Sequence, residues 1–220
     1  MNPGEVLVHV LAVGDERPED RALLSAEERE RADRFHFAKD RALYTAAHAG
    51  LRRALARELA ARPEELAFAA EPGGRPRLLG GADLCFSLSH SGDRALVALA
   101  RTPRLGVDVE VFRPGVDRAR LAARNFTAAE QGELRALAEA ELEHAFYRIW
   151  TRKEAYVKAL GRGLYHPLDA FDVSAGAAAR FVAFRDGSKA EAWSLFDLEL
   201  GAGRAGALAV ELPAARLRLE

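Results

Sequence analysis

Cysteine is almost absent from the sequence. Cys85 is the only cysteine among 220 residues, which excludes an intramolecular disulfide and a metal cluster held by several thiolates. A single cysteine fits a protein kept in a reducing compartment, and we expect a cytoplasmic location. Because Cys85 lies in LCFSL, an apolar segment that predicts a buried strand, we do not expect it to be a catalytic thiol.

Long apolar runs and a large net charge are missing as well. No apolar stretch reaches the roughly 18 residues that a membrane-spanning helix requires, so we expect no membrane segment. The first residues, MNPGEVLVHVLAV, have no basic region before their apolar run and predict a first strand instead of a signal peptide. With a formal net charge of −1, the chain has no overall basic field for nucleic acid, and any anion site must be local.

The length of 220 residues allows one large domain or two small ones, and a hydrophobic fraction of 49% is ample for a packed core. Each half of the chain runs from a strand through helices to further strands. Capping boxes at Ser25–Glu28 and Thr127–Glu130 predict two helix starts, and apolar periodicity predicts a longer helix from about 39 to 61. The two halves show no repeat that can be aligned. Helices segregated from antiparallel strands indicate an α+β fold. The expected strands lie near the N-terminus and at 66–70, 84–88, 94–100, 105–112, 181–184, 192–200 and 207–212.

Residues 105–112, LGVDVEVF, have the alternation that is typical of a half-buried strand. The valines point to one face for the core, and Asp108 and Glu110 point to the other, about 7 Å apart. Two acids at this spacing either face solvent or share a cation. The pattern alone leaves both interpretations open.

Residues 146–164, FYRIWTRKEAYVKALGRGL, predict a helix with a chemical stripe on one face. Trp150, Glu154 and Lys158 are spaced four apart and project from the same side, while Gly161 offers a helix stop. An ordinary exposed ion pair between Glu154 and Lys158 would give the same pattern, so this interpretation also stays open.

Lysine is scarce, with 4 lysines against 28 arginines, and Lys153 and Lys158 both fall in this helix. A chain that uses arginine for ordinary surface charge has placed compact ammonium groups here, where a point-like or deprotonatable cation would matter. Glu154 together with the two strand acids makes three hard oxygen donors. Magnesium prefers such donors when phosphate oxygens and water complete its octahedron.

GVDVE followed by WTRKEAYVKALGRGL resembles the paired signature of the 4′-phosphopantetheinyl transferases, specifically the surfactin-synthetase-activating (Sfp) type. The family pattern is a Gly-x-Asp-x-Glu strand followed by Trp-x-x-Lys-Glu-Ala-x-x-Lys, and both blocks match without a gap. Further similar segments are RFHFAKDR at 34–41, Gly-Arg-Pro at 74–76, FSLSHSGD at 86–93 and HPLDAFDV from 166.

The resemblance implies a fold of two similar α/β subdomains related by a pseudo-twofold, with residues 1–103 in the first and 104–220 in the second. Coenzyme A would bind in the cleft between them. The implied reaction transfers the 4′-phosphopantetheine arm of coenzyme A to a serine of an apo carrier protein and releases adenosine 3′,5′-bisphosphate. It would use Mg²⁺, with Mn²⁺ as an alternative. We expect a monomer with no nucleic-acid or membrane partner.

The resemblance also implies site residues. Asp108, Glu110 and Glu154 would hold the metal, with Glu154 either the third ligand or the general base. Lys158 would neutralise or protonate the leaving phosphate. The residues expected to contact coenzyme A are Arg41, Gly74, Arg75, Pro76, Ser89, His90, Lys153 and Lys158, with Arg41 on the 3′-phosphate. Glu28 departs from the basic residues that the family often carries in the short helix before residue 39, whereas Arg31 fits them.

Two other classes of function have related sequence features. A metal nuclease with an Asp…(Asp/Glu)-x-Lys pattern would want lysine at position 112, where the chain has Phe112. A non-catalytic module that binds coenzyme A or a carrier would have lost an acid or Lys158, and all of these are present. The sequence does not distinguish fatty-acid, polyketide and non-ribosomal-peptide carriers.

Overall fold

The structure is a computed structural model that describes residues 1–2, 4–71, 74–80, 83–161, 166–185 and 187–220. Pro3 and residues 162–164 of the segments quoted above lie outside the described residues. The α-helices are α1 (Pro18–Leu23), α2 (Ala26–Asp33), α3 (Ala38–Leu59), α4 (Arg118–Asn125), α5 (Ala128–Arg135) and α6 (Glu139–Leu160). The strands are β1 (Glu5–Ala12), β2 (Phe68–Ala70), β3 (Pro76–Leu78), β4 (Cys85–Ser91), β5 (Arg94–Ala100), β6 (Leu105–Val111), β7 (Phe171–Val173), β8 (Phe181–Phe184), β9 (Ser194–Asp197), β10 (Arg204–Val210) and β11 (Arg216–Leu219).

Two larger sheets form the centre of the chain. The first has the strand order β11-β1-β5-β4, in which only the β1/β11 pair is parallel, and the second is antiparallel with the order β6-β10-β9. Two small antiparallel pairs, β2-β3 and β7-β8, complete the described sheets. This combination of helices with mostly antiparallel sheets confirms a mixed α/β chain. None of the helices described is long and apolar enough to cross a membrane.

The two halves of the chain repeat the same order of elements. β1-α1-α2-α3-β2-β3-β4-β5 is followed by β6-α4-α5-α6-β7-β8-β9-β10. In each larger sheet the first strand of the half pairs with its last strand, which in turn pairs with the strand before it. The long helices α3 and α6 both have 22 residues, and each is followed by a left-handed residue, Ala60 or Gly161.

A buried ion pair is repeated between the halves as well. Both predicted capping boxes form, and their glutamates, Glu28 and Glu130, reach the long helix of their own half. Glu28 pairs with Arg52 at 2.7 Å and Glu130 pairs with Lys153 at 2.8 Å, each cation lying at the same position counted from the start of its helix. Each cation also donates to two carbonyl oxygens three residues apart, at a 3-10 turn after the helix: Pro63 and Leu66 for Arg52, Leu168 and Phe171 for Lys153.

The apolar core has three parts: one lies between the two larger sheets, and one lies on the outer face of each sheet. Val8 and Leu96 of the first sheet share an apolar cluster with Val107 and Leu208 of the second, so the apolar faces of the sheets pack together. Helix α3 packs on the other face of the first sheet, and α6 packs on the other face of the second. The valine face predicted for β6 is therefore confirmed. Its opposite face, which carries the acids, meets α6.

Strand β11 joins the half of the chain to which the sequence analysis did not assign it. Glu5 of β1 lies opposite Arg216 of β11, so residues 216–219 form the edge of the first sheet, although 104–220 were expected to fold together. The run RLRL alternates as a strand does, but it is only four residues long and its pairing partner is more than 200 residues away in sequence, so no local signal indicates which strand it joins.

Candidate active site

Helix α6 crosses strand β6 at Gly106. A side chain at this position would collide with the backbone of Ala155 and Ala159, so only glycine lets the helix lie directly on the strand. Glu154 and Lys158 immediately precede those two alanines, and the crossing carries them to the acidic face of β6. The sequence analysis gave Gly106 no role of its own. A glycine inside a strand, two residues before an acid on the same face, was the signal available.

Asp108, Glu110, Glu154 and Lys158 form an acid cluster at this crossing. Asp108 lies at its centre with only 4% of its surface exposed. Its Oδ1 atom accepts hydrogen bonds from Lys158 Nζ at 2.7 Å and from Ser89 Oγ at 3.0 Å. Its Oδ2 atom is buried and has no hydrogen-bond partner among the described residues. The solvated interpretation is therefore wrong for Asp108, and the lysine that could have formed an ordinary pair with Glu154 on the helix binds Asp108 across the two elements.

Glu110 and Glu154 complete a group of three carboxylates. Glu110 Oε2 accepts a hydrogen bond from Ser91 Oγ at 2.9 Å. Burial and the neighbouring Asp108 carboxylate raise the pKa of Glu110, and the Ser91 hydrogen bond only partly offsets them. Burial and Asp108 likewise raise the pKa of Glu154 against the opposing charge of Lys158. The Asp108 carboxylate is thus close enough to both glutamates to disfavour their ionised forms.

This donor set fits a divalent cation by its chemistry. Carboxylate oxygens are the ligands that Mg²⁺ prefers, the buried Asp108 Oδ2 lacks a partner, and both glutamates carry raised pKa values that a nearby cation would lower. In the described ranges, no group of three or more His, Cys, Asp or Glu side chains is already gathered closely enough to hold a metal ion. Lys158 supplies the positive charge at Asp108.

Ser89 and His90, predicted to bind coenzyme, project from opposite faces of β4. The Ser89 hydroxyl accepts from Lys158 Nζ at 2.8 Å as well as donating to Asp108, so it belongs to the acid cluster. His90 lies on the face of the strand that meets α3. Its pKa is lowered, first by burial of part of the ring and then by the nearby His48 and Lys158.

Comparison with known proteins identifies the family. Residues 104–210 match the 4′-phosphopantetheinyl transferase superfamily, and residues 19–103 match the family described as 4′-phosphopantetheinyl transferase, N-terminal. The 4′-phosphopantetheinyl transferase HetI of Nostoc sp. is 38% identical over 165 residues, which cover 71% of this chain and 70% of HetI. The chain belongs to the 4′-phosphopantetheinyl transferase superfamily.

Two further relatives of this transferase come from Bacillus subtilis. A 4′-phosphopantetheinyl transferase is 34% identical over 158 residues, covering 70% of this chain and 69% of the relative. The 4′-phosphopantetheinyl transferase Sfp is 30% identical over 152 residues, covering 69% of this chain and 66% of Sfp. The resemblance to the Sfp type stated from the motifs is thereby confirmed.

Other predicted coenzyme residues of the transferase lie outside the acid cluster. Arg41 Nε donates to Glu16 Oε2 at 2.7 Å in a groove of about 400 Å³, which Arg21 and Asp33 also line. Among the described residues, Arg41 has no hydrogen bond or ion pair with Asp108, Glu110 or Glu154. Arg31, which fits the family's basic positions, lies near enough to His90 for its charge to lower the pKa of that histidine.

Arg75 lies at the end of α6, in the turn that also holds Gly74 and Pro76. Its guanidinium donates to the carbonyl oxygens of Ala159 at 3.1 Å and Leu105 at 3.2 Å, and Nη2 lies 2.6 Å from the Cys85 sulfur. Gly74 has a φ of 80°, a left-handed conformation that favours glycine. Burial raises the pKa of the Cys85 thiol, in agreement with its exclusion as a catalytic group.

Lys153 is the one predicted coenzyme residue that the structure contradicts. Its side chain is fully buried, and Nζ is bound to Glu130 and to the carbonyl oxygens of Leu168 and Phe171 at 2.7 and 2.6 Å. Consecutive residues of a helix are about 100° apart around its axis, so Lys153 points into the core while Glu154 points to β6. The correction is that Lys153 anchors α6 and is not available to a phosphate.

The departure at Glu28 also has a structural cause. Glu28 caps α2 together with Ser25, and it accepts hydrogen bonds from His48 at 3.0 Å and from the buried Arg52 at 2.8 Å. Burial alone would raise the pKa of Glu28, but these hydrogen bonds and the charge of Arg52 outweigh it and lower the pKa to about 2. The capping box predicted from the sequence is confirmed, and Glu28 is a structural anion.

Proposed function

We propose that the protein transfers the 4′-phosphopantetheine arm of coenzyme A to a serine hydroxyl of an apo carrier protein and releases adenosine 3′,5′-bisphosphate. The observation that carries this proposal is the contact of Asp108 with both Lys158 and Ser89, beside Glu110 and Glu154. Acids, a lysine and a hydroxyl at one point are the groups that a diphosphate and its metal ion require.

The chemistry follows from charge and geometry. Asp108, Glu110 and Glu154 would hold Mg²⁺ or Mn²⁺, which when bound neutralises charge on the diphosphate oxygens. The serine oxygen attacks the phosphorus on the pantetheine side, and the bond from that phosphorus to the oxygen of the adenosine-side phosphate breaks. Lys158 stabilises the negative charge on the departing phosphate, or protonates it. The proton of the serine leaves for a carboxylate.

Glu154 has two open roles in this proposal. The pKa of its half-buried carboxylate is raised, and a carboxylate with a higher pKa is a stronger base. This supports the role of general base. Its place beside Asp108 supports a third metal ligand equally.

We further propose that the two halves, 1–103 and 104–220 apart from β11, are subdomains related by a pseudo-twofold, with coenzyme A in the cleft between them. The repeated element order, the repeated strand pairing and the repeated buried ion pair support this arrangement. Ser89 and His90 come from the first half, and the three acids and Lys158 come from the second. A molecule bound at the acid cluster would therefore contact both halves.

The coenzyme contacts proposed in this cleft are Ser89, His90 and Lys158 for the diphosphate. Gly74, Arg75 and Pro76 remain proposed contacts, and Arg75 would use the part of its side chain left free by its hydrogen bonds to backbone carbonyls. For the 3′-phosphate, Arg41 would have to exchange Glu16 for the ligand, whereas Arg31 already lies near His90. We also propose that the enzyme is monomeric and cytoplasmic and has no nucleic-acid or membrane partner.

The proposal is tested by mass. The purified protein is mixed with coenzyme A, Mg²⁺ and a panel of apo carriers from fatty-acid, polyketide and non-ribosomal-peptide systems. The molecular mass of each carrier is then measured. At least one carrier should gain the phosphopantetheine mass. The same carrier with its target serine changed to alanine should not, nor should the wild-type carrier in excess chelator. If none of the carriers that a known transferase modifies gains this mass, the proposed function is refuted.

A further inference from the structure

Strands β4 and β6 lie side by side at the edges of different sheets, and serine hydroxyls join them. β6 uses one edge to pair with β10, and the N–H groups of alternate residues point to its other edge. Three buried serines of β4 accept those N–H groups in place of backbone carbonyls. The pairs are Val107 with Ser87 at 3.0 Å, Val109 with Ser89 at 3.2 Å and Val111 with Ser91 at 3.2 Å.

Two of these hydroxyls donate a hydrogen bond to an acid of the proposed metal site. Ser89 donates to Asp108 Oδ1 at 3.0 Å, and Ser91 donates to Glu110 Oε2 at 2.9 Å. In each case the acid is the residue just before the valine whose N–H the serine accepts. For Ser87 the corresponding residue is Gly106, which has no side chain. The three serines thus match the Gly-x-Asp-x-Glu strand residue by residue.

A hydroxyl in this position is directed by its own hydrogen bonds. One lone pair is taken by a backbone N–H, which restricts the direction left for the single proton. Asp108 is also fixed by Lys158, but among the described residues Ser91 is the only hydrogen-bond donor to the Glu110 carboxylate. Arg113 Nη2 reaches the Ser91 oxygen itself at 3.5 Å, so it adds to the placement of the hydroxyl.

We infer that Ser91 is a positioning residue that holds the Glu110 carboxylate in the orientation needed for a divalent cation. The inference rests on the proposed function, because it concerns a ligand of the proposed metal site. It assigns to the first half of the chain a part in building a metal site whose acids all belong to the second half. Ser87 provides a matched control, since it makes the same contact to the β6 backbone without an acid to orient.

Mn²⁺ binding to the purified protein tests the inference, with free Mn²⁺ measured by electron paramagnetic resonance in the absence of carrier. Ser91→Ala should weaken Mn²⁺ binding about tenfold or more, the usual scale for losing a hydrogen bond to a metal ligand. Ser87→Ala should bind Mn²⁺ like the wild type. Both variants leave one buried N–H without an acceptor and should lose similar stability in a melting curve. Ser91→Thr keeps the hydroxyl and should restore binding.

Three results would overturn the inference: equal Mn²⁺ affinity of Ser91→Ala and Ser87→Ala, failure of Ser91→Thr to restore binding in a folded protein, and absence of Mn²⁺ binding by the wild type. If Ser91→Ala does not fold, Ser91→Cys replaces it, because a thiol is a weaker donor than a hydroxyl. Undiminished Mn²⁺ affinity in Ser91→Cys would then count against the inference. Transfer to a carrier by the wild type is measured separately, so failure of the proposed function is recognised independently.

Discussion

Lys153 and Glu154 are adjacent in the chain, and their environments differ completely. The ammonium of Lys153 has no exposed surface and is bound to Glu130 in the core, whereas the carboxylate of Glu154 lies half-buried beside Asp108. The motif places both side by side, but helix geometry separates their roles. The lysine fixes the helix, and the glutamate faces the reacting groups.

The first prediction concerns Glu154 and Lys158. Glu154→Gln should lower kcat by roughly 10² or more, whether the residue is a base or a metal ligand, because glutamine keeps the size but not the charge. Lys158→Arg keeps the charge but replaces a point cation that reaches Asp108 at 2.7 Å with a planar fork, and it should also lower kcat. A carrier-transfer assay and a melting curve on both variants provide the measurement.

An ordinary surface pair would behave differently in that experiment. The double change of both residues to alanine would then cost under about 1 kcal/mol of stability and leave turnover intact. Unchanged turnover in Glu154→Gln would remove Glu154 from the site.

A second prediction concerns Gly106. Gly106→Ala should lower the free energy of unfolding by about 2 kcal/mol or more and reduce turnover, because the added carbon meets helix backbone that cannot rotate away. Gly176→Ala is the control, since an added carbon there meets nothing within 4 Å. Urea unfolding of both variants gives the comparison. Equal stability of the two would show that α6 can lift from β6 without cost.

At the scale of elements, local signals predicted the helices and strands that carry the site. Helix α3 runs from 38 to 59 where periodicity predicted about 39 to 61, β6 begins at Leu105 as predicted, and α6 ends before the left-handed Gly161. Each of these features depends on residues within a turn or two of one another. Caps, alternation and glycine stops are therefore visible in the sequence itself.

What local patterns did not predict is which element covers which face. The alternation of β6 allowed a solvated acidic face, but α6 lies on it and buries Asp108. The guanidinium of Arg75 binds carbonyl oxygens at the end of α6, a contact that no local pattern indicates. These contacts join residues that are 30 to 84 positions apart, and such contacts leave no periodic signal in the chain.

The third prediction belongs to helix α2 and its cap. The folded-state pKa of Glu28, about 2, lies below its ordinary value of 4.5, so this group stabilises the fold above pH 4.5 and loses that contribution as the pH falls toward 2. Glu28→Gln should therefore be less stable than the wild type at pH 7, by up to about 3 kcal/mol, and the difference should shrink as the pH falls through that window.

Melting curves of both proteins between pH 7 and pH 2.5 make the comparison. Glu30→Gln, a change on the exposed side of the same helix, serves as the control and should track the wild type. A difference between Glu28→Gln and the wild type that stays constant across this range would contradict the assigned charge state.

At the scale of the whole molecule, the two halves repeat an order of elements and a buried ion pair without a similar amino-acid sequence. Arg52 and Lys153 occupy the same place with different chemistry, and each is paired with a capping glutamate. A buried cation, a carboxylate and two carbonyl oxygens can be supplied by either residue. Alignment of residue types therefore could not find a correspondence that strand pairing makes plain.

The fourth prediction concerns cooperativity. The halves share the apolar cluster between the sheets, the serine contacts of β4 with β6, and strand β11, so the intact chain should unfold in one transition seen equally by far-UV and near-UV circular dichroism. A fragment of residues 1–103 lacks β6 and β11 and should not form a stable fold. Two separate transitions, or a folded fragment, would show that the first half is independent.

The position of β11 has a consequence for how the protein is made. Strand β1 is synthesised early, yet the neighbour on one of its edges, residues 216–219, is synthesised after nearly all the rest of the described chain. During translation that edge of β1 remains open to unwanted pairing with other nascent chains, and it closes only when β11 has left the ribosome. A product that stops before residue 216 would keep the exposed edge permanently, and chaperones and proteases recognise such surfaces.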